Sequence, residues 1–536
     1  MSSENVREHI RRRNAPPRPP VDLNPASALR RHASYRAAFP VLRYAGGNLT
    51  YGELNDRAAR CAASLAASGT GRGDRIAYLG MNSTSFVVTM FAAFRLGAVF
   101  VPVNFRLAEP ELQQVLRLSG ATTIVAEEDH RGPIEAVRGN TVLQRFLLVD
   151  DDSEAPAHPA ATPWEPWSSL LATATPQEEV VPQGFDDLAT LMFTSGTTGL
   201  PKGVMLTHGN LWWSAVNADS VLDTRPGEVT HVAAPLFHAG AFNSFFLRTI
   251  TRGGTVVVRR AFDPRAFLDD LVAHDVNSFF AVPVMLAALA QVPGIAATEF
   301  GTVRSIVVAG APVPPALIAQ FATWDVPLQQ AWGLTETAPF ATHLPVERAV
   351  DKAGSAGVPM PYTEVRVVDP ATNQPVAAQV RGEIVVRGPN VTPGYWDNTE
   401  ATAAAFDDAG WFHSGDIGYF DADGYLYIVD RLKDMIISGG ENVYPAEVEQ
   451  ALWDLSTLAD VAVVGRPDER WGEAVVAVVA PHDGADVTLE QIRGHAAAKL
   501  ARYKLPRDLR IMSPLPRNAS GKLDKREISR RVRGED

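Results

Sequence analysis

Cysteine is nearly absent from this chain: one residue in 536, Cys61, lies in an alanine-rich stretch at 58–67 that reads as helix. An intramolecular disulfide and a zinc site of several thiolates are excluded. Cys61 is expected to be a small buried core residue in a protein suited to a reducing cytoplasm. Long apolar runs are missing too. None approaches the roughly 20 residues that cross a bilayer, so no membrane span is expected. Positive charge is in deficit, with 49 Lys and Arg against 61 Asp and Glu and a formal charge of −12. A protein that mainly grips nucleic acid shows the opposite balance, so that partner is set aside. Phosphate binding is still open, because it needs only a local nest of donors and cations. Neither internal repeats nor low-complexity tracts are visible.

What is present is the mixture of an ordinary globular enzyme, 46% hydrophobic and 21% charged. The chain is too long for one core of roughly 100–200 residues. Residues 1–20 carry Arg7, Arg11, Arg12 and Arg13, then Pro16, Pro17, Pro19 and Pro20, with no apolar stretch between. They are expected to be a flexible N-terminal arm and do not read as a secretory signal. From 49 to 104, helix patterns at 51–67 and 86–96 alternate with strand patterns at 75–79 and 98–103. The rhythm resumes with strands at 188–193, 230–233, 255–258, 278–282 and 305–309, and helices such as 264–274 and 314–323. Such alternation predicts βα units and parallel sheets. Residues 150–175, rich in Asp, Pro, Ala and Ser, read as a surface connection.

From 365 short strands (365–368, 382–386, 425–429) alternate with turns such as Asp423-Gly424, predicting a small β subdomain. A boundary is expected around 430–433. Beyond it lies a compact α+β unit with helices at 445–455 and 489–500 and strands at 461–464 and 474–479. The expected fold class is α/β: a large N-terminal domain of βα units with parallel sheets plus a small β subdomain, over 21–430. A hinge at 431–433 and a small mobile α+β domain over 434–536 follow.

The sharpest motif is Thr194-Ser195-Gly196-Thr197-Thr198-Gly199-Leu200-Pro201-Lys202-Gly203, directly after an apolar strand pattern. Glycines let backbone N–H groups converge on an anion, hydroxyls add hydrogen bonds and Lys202 adds charge. It is not a Walker A loop, which ends in Gly-Lys-Ser/Thr.

This loop resembles the signature of the adenylate-forming superfamily: acyl-CoA synthetases, aryl-CoA ligases, luciferases and nonribosomal adenylation domains. The resemblance runs from Leu49-Thr50-Tyr51 to Gly521-Lys522, and it implies the following roles. Gln330-Ala331-Trp332-Gly333-Leu334-Thr335-Glu336 resembles a motif in which the aromatic packs on adenine, the Thr touches the α-phosphate and the Glu helps hold Mg²⁺. Tyrosine is usual where this chain has Trp332; the stacking face is kept and the polar edge differs. Gly310, Ala311 and Pro312 match a segment lining the adenine and acyl pockets. Asp416, in Ser414-Gly415-Asp416, matches a ribose-binding aspartate, and Arg431 a second ribose contact. Lys433 matches the hinge. Gly439 and Gly440 match a loop that swings over the site in the acyl-CoA ligase branch. Trp471, in Arg470-Trp471-Gly472-Glu473, also resembles that branch. Lys522 matches the catalytic lysine that bridges the acid's carboxylate and the α-phosphate. His238 matches an aromatic gate between acyl pocket and pantetheine tunnel, with Phe242, Asn243 and Gln330 along the same acid and CoA channel. His343 shows no comparable pattern.

The resemblance implies an ATP- and Mg²⁺-dependent acid–CoA ligase. A small carboxylic acid would attack the α-phosphorus of ATP, releasing pyrophosphate; the thiol of coenzyme A would then displace AMP. Segments 212–216, 239–244, 308–311 and 330–332 are the expected pocket walls. Their small and aromatic residues suit an aryl, arylpropenoic or medium-chain acid, and a deep fatty-acid tunnel stays open as well. Two rivals stand beside this reading: an adenylating enzyme with an amine, carrier-protein thiol or other nitrogen nucleophile as acceptor, and a non-catalytic nucleotide-binding member. A homodimer is common in the resembling family.

Overall fold

A computed structural model of the chain describes residues 21–45, 47–152, 162–195, 201–298, 300–326, 328–438, 441–468, 471–518 and 521–535. Two large sheets dominate. In the first, the spatial order is Trp164–Pro166, Arg145–Leu148, Thr123–Ala126, Arg75–Leu79, Val99–Val103, Leu188–Ser195 and Pro201–Thr207. Its strands run parallel until the last pair, which is an antiparallel hairpin. The second sheet has a parallel centre of Gln329–Trp332, Ser305–Val308, Ser278–Ala281, Val229–Val232, Thr255–Val258 and Pro40–Arg43. Short antiparallel strands close both its edges.

Two helices fill the space between the sheets. Tyr51–Ala67 starts in a capping box: Thr50 Oγ1 accepts from Glu53 N–H, and Glu53 returns to Thr50 N–H at 2.8 Å. Its Leu54, Ala58, Cys61, Ala62 and Leu65 are buried on one stripe. Thr84–Leu96 is buried on every side and stops at Gly97, whose φ of 68° a glycine adopts freely. The same core takes Ile76 and Phe100 from one sheet and Val41, Val256 and Phe279 from the other. Even Arg95 is enclosed, its guanidinium satisfied by the carbonyls of Gln177 (2.7 Å) and Glu178 (3.3 Å) and by Asn55 Oδ1 (3.1 Å).

Four antiparallel strands, Glu364–Val368, Gly382–Arg387, Phe412–Phe420 and Leu426–Arg431, form the small β sheet. The C-terminal unit is built on the hairpin Leu458–Asp468 with Gly472–Pro481. Valines of these strands pack on one face with helices Pro445–Leu452 and Leu489–Ala497, and on the other with Ile528 and Val532 of Lys525–Arg533. No helix among the described residues is long and apolar enough to cross a membrane.

Several expected elements coincide with the structure, including 51–67, 75–79 and 255–258. The reading of 150–175 as a surface connection is corrected in part. Trp164–Pro166 is an edge strand pairing with Arg145–Leu148, and Trp167–Thr173 is a helix against Tyr51–Ala67. Trp164, Trp167 and Leu170 are buried. Two tryptophans carry enough apolar area to seat a segment whose average composition says loop. Strand Phe412–Phe420 was missed because Gly415 and Gly418 interrupt its pattern. A Cβ at Gly418 would lie 2.6 Å from the Tyr427 carbonyl oxygen, so the close strand pairing requires glycine there.

Candidate active site

The site begins where strand Gln329–Trp332 ends. A Cβ on Gly333 would lie 1.9 Å from the carbonyl oxygen of Pro339, so only glycine lets the chain fold back here. Thr337 Oγ1 ties the return, accepting from Leu334 N–H at 2.8 Å and donating to the Pro339 carbonyl at 2.7 Å. This loop presents Thr335 and Glu336, both half-buried. Glu336 Oε1 accepts from the Tyr395 hydroxyl at 2.9 Å, and its backbone carbonyl accepts from Thr392 N–H at 2.7 Å. Burial pushes the Glu336 carboxyl upward, while the Tyr395 hydrogen bond and the charges of Arg431 and Lys202 pull it back.

Lys202 enters from the neighbouring hairpin, where Thr194 is paired with Lys202 and Ser195 with Pro201. Its ammonium sits 4.8 Å from the centre of the Tyr395 ring. Tyr395 thus touches both charged groups, and sequence reasoning did not single it out. The available signal was Gly394-Tyr395-Trp396, an aromatic pair after a glycine in the β region. Gly196, Thr197, Thr198 and Gly199 of the expected phosphate loop lie outside the described residues, as do Gly439 and Gly440.

Asp416 stands on strand Phe412–Phe420 directly opposite Arg431 on Leu426–Arg431. Arg431 Nε is 2.6 Å from Asp416 Oδ1, and Trp332 Nε1–H donates to Asp416 Oδ2 at 2.8 Å. Burial raises the Asp416 carboxyl; Arg431, the Trp332 hydrogen bond and Lys522 draw it down. Gly310, Ala311 and Pro312 are exposed in the turn after strand Ser305–Val308.

Lys522 comes from the far end of the chain. Its loop is clamped by Asn518, whose N–H donates to the Lys522 carbonyl at 2.8 Å and whose Oδ1 accepts from Lys522 N–H at 3.1 Å. The residue is exposed, yet its ammonium is close enough to Arg431, Asp416 and His238 to interact with each. Burial lowers the Lys522 ammonium, followed by the charge of Arg431, while Asp416 supports it. Lys522 also acts on His238, whose imidazole is pushed down to about 4, by burial first and then by Lys522 and Arg106. The His238 ring lies 4.3 Å from that of Phe237, which meets Phe105 edge-on at 5.3 Å. His238 is therefore neutral at pH 7 and ends a row of aromatic rings.

The remaining expected residues are distributed as follows. Phe242 is fully buried in the core, 5.9 Å from Phe246. Asn243, only 4% exposed, has no partner among the described residues for either amide atom, and buried Gln330 has none for Nε2. Trp471 is half-buried beneath the Arg507 guanidinium, 3.8 Å from a ring centre. Lys433 is exposed in the short turn Leu432–Asp434. Just before it, Asp430 accepts from Arg431 N–H at 2.7 Å and Ala446 N–H at 2.6 Å, tying the turn to helix Pro445–Leu452. Of the expected pocket walls, Trp212 points outward at 48% exposure. Ala309 instead joins Phe245, Phe340 and Met360 in a cluster against which Ala331 and Phe280 pack.

Among the described residues no group of three or more His, Cys, Asp or Glu is placed to hold a metal ion. A divalent cation here would take the Glu336 carboxylate and complete its shell with phosphate and water oxygens. That donor set fits Mg²⁺, which keeps waters and prefers few carboxylates.

Residues 29–396 match the family of AMP-binding enzymes, and residues 447–522 match the AMP-binding enzyme C-terminal domain. The chain is 43% identical over 491 residues to a feruloyl-CoA synthase of an Amycolatopsis species, covering 92% of this chain and 95% of that one. It is similar in structure to the o-succinylbenzoate CoA synthetase of Bacillus subtilis in complex with an acyl-adenylate intermediate: TM-score 0.83, 31% identity, 94% of this chain and 97% of that one. The same enzyme in complex with ATP and magnesium ion superposes with a TM-score of 0.82 at 31% identity, over 92% and 98% of the two chains.

Proposed function

Because the chain belongs to the AMP-binding enzyme family and is an AMP-forming acid–CoA ligase, we propose that it activates an aryl or arylpropenoic acid, with Lys522, Lys202, Thr335 and Glu336 as its adenylation machinery. The observation that carries the assignment of residues is convergence. Lys522, Glu336, Asp416 and Lys202 come from four separate parts of the sequence; Lys202 acts on Glu336, Lys522 on Asp416, and Arg431 on Glu336, Asp416 and Lys522 alike.

A carboxylate cannot acylate a thiol directly, since its leaving group would be oxide. When its oxygen attacks the α-phosphorus of ATP, pyrophosphate departs and a mixed anhydride forms. Negative charge builds around the α-phosphate. In this reading Lys522 approaches from one side of the cleft, Lys202 from the hairpin and Thr335 from the Gly333 turn. They are positioned beforehand, so stabilisation costs little reorganisation. Glu336 would hold Mg²⁺, which would supply charge neutralisation at the phosphates. Asp416 and Arg431 receive the ribose, Trp332 the adenine, and Gly310, Ala311 and Pro312 the edge of the nucleotide and acyl pockets. The thiol of CoA then attacks the carbonyl and AMP leaves.

The thioester step needs Lys522 out of the way. Rotation about Lys433, exposed in a turn of three residues, would remove it and bring Trp471 toward the site. The boundaries at 430 and 434, the cytoplasmic setting and a homodimer complete the proposal; the expected N-terminal arm, 1–20, lies outside the described residues.

The acid class rests on the cluster beyond His238. Phe280 and Phe340 lie 6.2 Å apart at 35°, flanked by the small residues Ala309 and Ala331. Flat rings beside small side chains suit a planar acid, as does the likeness to a feruloyl-CoA synthase. A panel of cinnamic, benzoic and C6–C16 fatty acids, followed by pyrophosphate release, tests this. The highest kcat/KM is expected for an arylpropenoic or aryl acid; a preference for the long fatty acids would refute it.

A further inference from the structure

Trp332 stands where most of the resembling family has tyrosine, and its indole edge is engaged in this structure. The side chain is 8% exposed, and its N–H reaches the nearly enclosed carboxylate of Asp416, itself 4% exposed. A carboxylate has about four acceptor positions, two on each oxygen. Trp332 fills one on Oδ2, and Arg431 Nε forms an ion pair with Oδ1 at 2.6 Å. At least one acceptor is left on each oxygen, side by side, which matches a pair of vicinal hydroxyls.

The two donors are not equivalent. Arg431 is exposed at the very end of strand Leu426–Arg431, next to the turn Leu432–Asp434. Trp332 is buried in a core with Ile384, Val386 and Leu426 of the same small sheet that carries Asp416. The indole is held by this packing, whereas the exposed guanidinium is not. We propose that Trp332 is a positioning residue for ribose recognition: its indole N–H fixes the plane of the Asp416 carboxylate so that both oxygens meet the 2′- and 3′-hydroxyls. It thereby sets discrimination against deoxyribonucleotides. The proposal deepens the reading of Asp416 as the ribose acceptor and rests on it.

The test is calorimetric binding of AMP, 2′-deoxy-AMP and 3′-deoxy-AMP to the full chain, which needs no knowledge of the acid. Trp332→Phe keeps an aromatic face and removes the N–H. A hydrogen bond to a charged group carries about a tenfold effect or more. The AMP to 2′-deoxy-AMP affinity ratio is therefore expected to fall about tenfold in Trp332→Phe. Loss of stacking alone would weaken all three ligands alike and leave the ratio intact, which would overturn the proposal. If Trp332→Phe does not fold, Trp332→Tyr, which moves the polar atom off the indole edge, is read by the same ratio with the same two outcomes. Asp416→Ala separates the proposal from its premise. Wild-type discrimination in Asp416→Ala would refute the ribose role itself, whereas loss there with an unchanged ratio in Trp332→Phe would refute only the role of Trp332.

Discussion

Replacing Lys522 with alanine should divide the two half-reactions. The substitution removes one ammonium from a solvent-reached loop whose backbone is held by Asn518, not by the lysine side chain. Folding should be unaffected, within about 0.5 kcal/mol, as for most surface changes. Adenylation should not be spared. Losing one preorganised donor at developing phosphate charge costs about 10²–10³ in rate, or about 3–4 kcal/mol. The assay is single-turnover pyrophosphate release for the first step, and acyl-CoA formation from synthetic acyl-adenylate for the second. The first should fall by that factor and the second stay within about threefold. The pH dependence gives an internal check. Burial and Arg431 hold the Lys522 ammonium below its ordinary 10.5, so wild-type adenylation should decline as pH rises through that lowered value. Lys522→Arg, which stays protonated, should move the decline to higher pH. Equal loss of both half-reactions in Lys522→Ala would refute the reasoning.

Three further outcomes are expected. Lys433→Pro, which restricts the backbone at the proposed hinge, should slow thioester formation at least tenfold more than adenylation, about 1.4 kcal/mol of selective barrier; equal slowing would count against a hinge. Tyr395→Phe deletes the hydroxyl that donates to Glu336. The Glu336 carboxyl, already raised by burial, should rise further, so the acid limb of the adenylation pH profile should move to higher pH; an unmoved limb would contradict the contact. His208 is buried and held down to about 4, mainly by burial. Its stabilising effect should be complete above about pH 6.5 and lost as pH falls toward 4, on the order of 3 kcal/mol. His208→Leu should flatten urea-denaturation midpoints across that window, and an unchanged slope would show that the titration lies elsewhere.

The legibility of the sequence follows from how local each signal is. Helix Tyr51–Ala67 announces itself through Thr50, Glu53 and a regular apolar stripe, all within one segment. The chemistry-bearing turns are equally local: Gly333 is dictated by the Pro339 carbonyl six residues on, and the motif around it resembles a known one as a string. Tyr395 was not legible because its partners, Glu336 and Lys202, are distant in sequence and meet only through the fold. Trp332 was legible as an aromatic, but the target of its N–H, 84 positions away, was not. The segment at 150–175 misled because composition averages out two tryptophans that decide its placement.

The central claim is that this chain couples adenylation to thioester formation with CoA as acceptor. Its most direct test is steady-state pyrophosphate release from ATP, Mg²⁺ and an arylpropenoic acid, with and without CoA, and with the product identified by mass. The account predicts turnover that rises strongly with CoA and an acyl-CoA of the expected mass. Pyrophosphate released only to about one equivalent per enzyme and unchanged by CoA would contradict it.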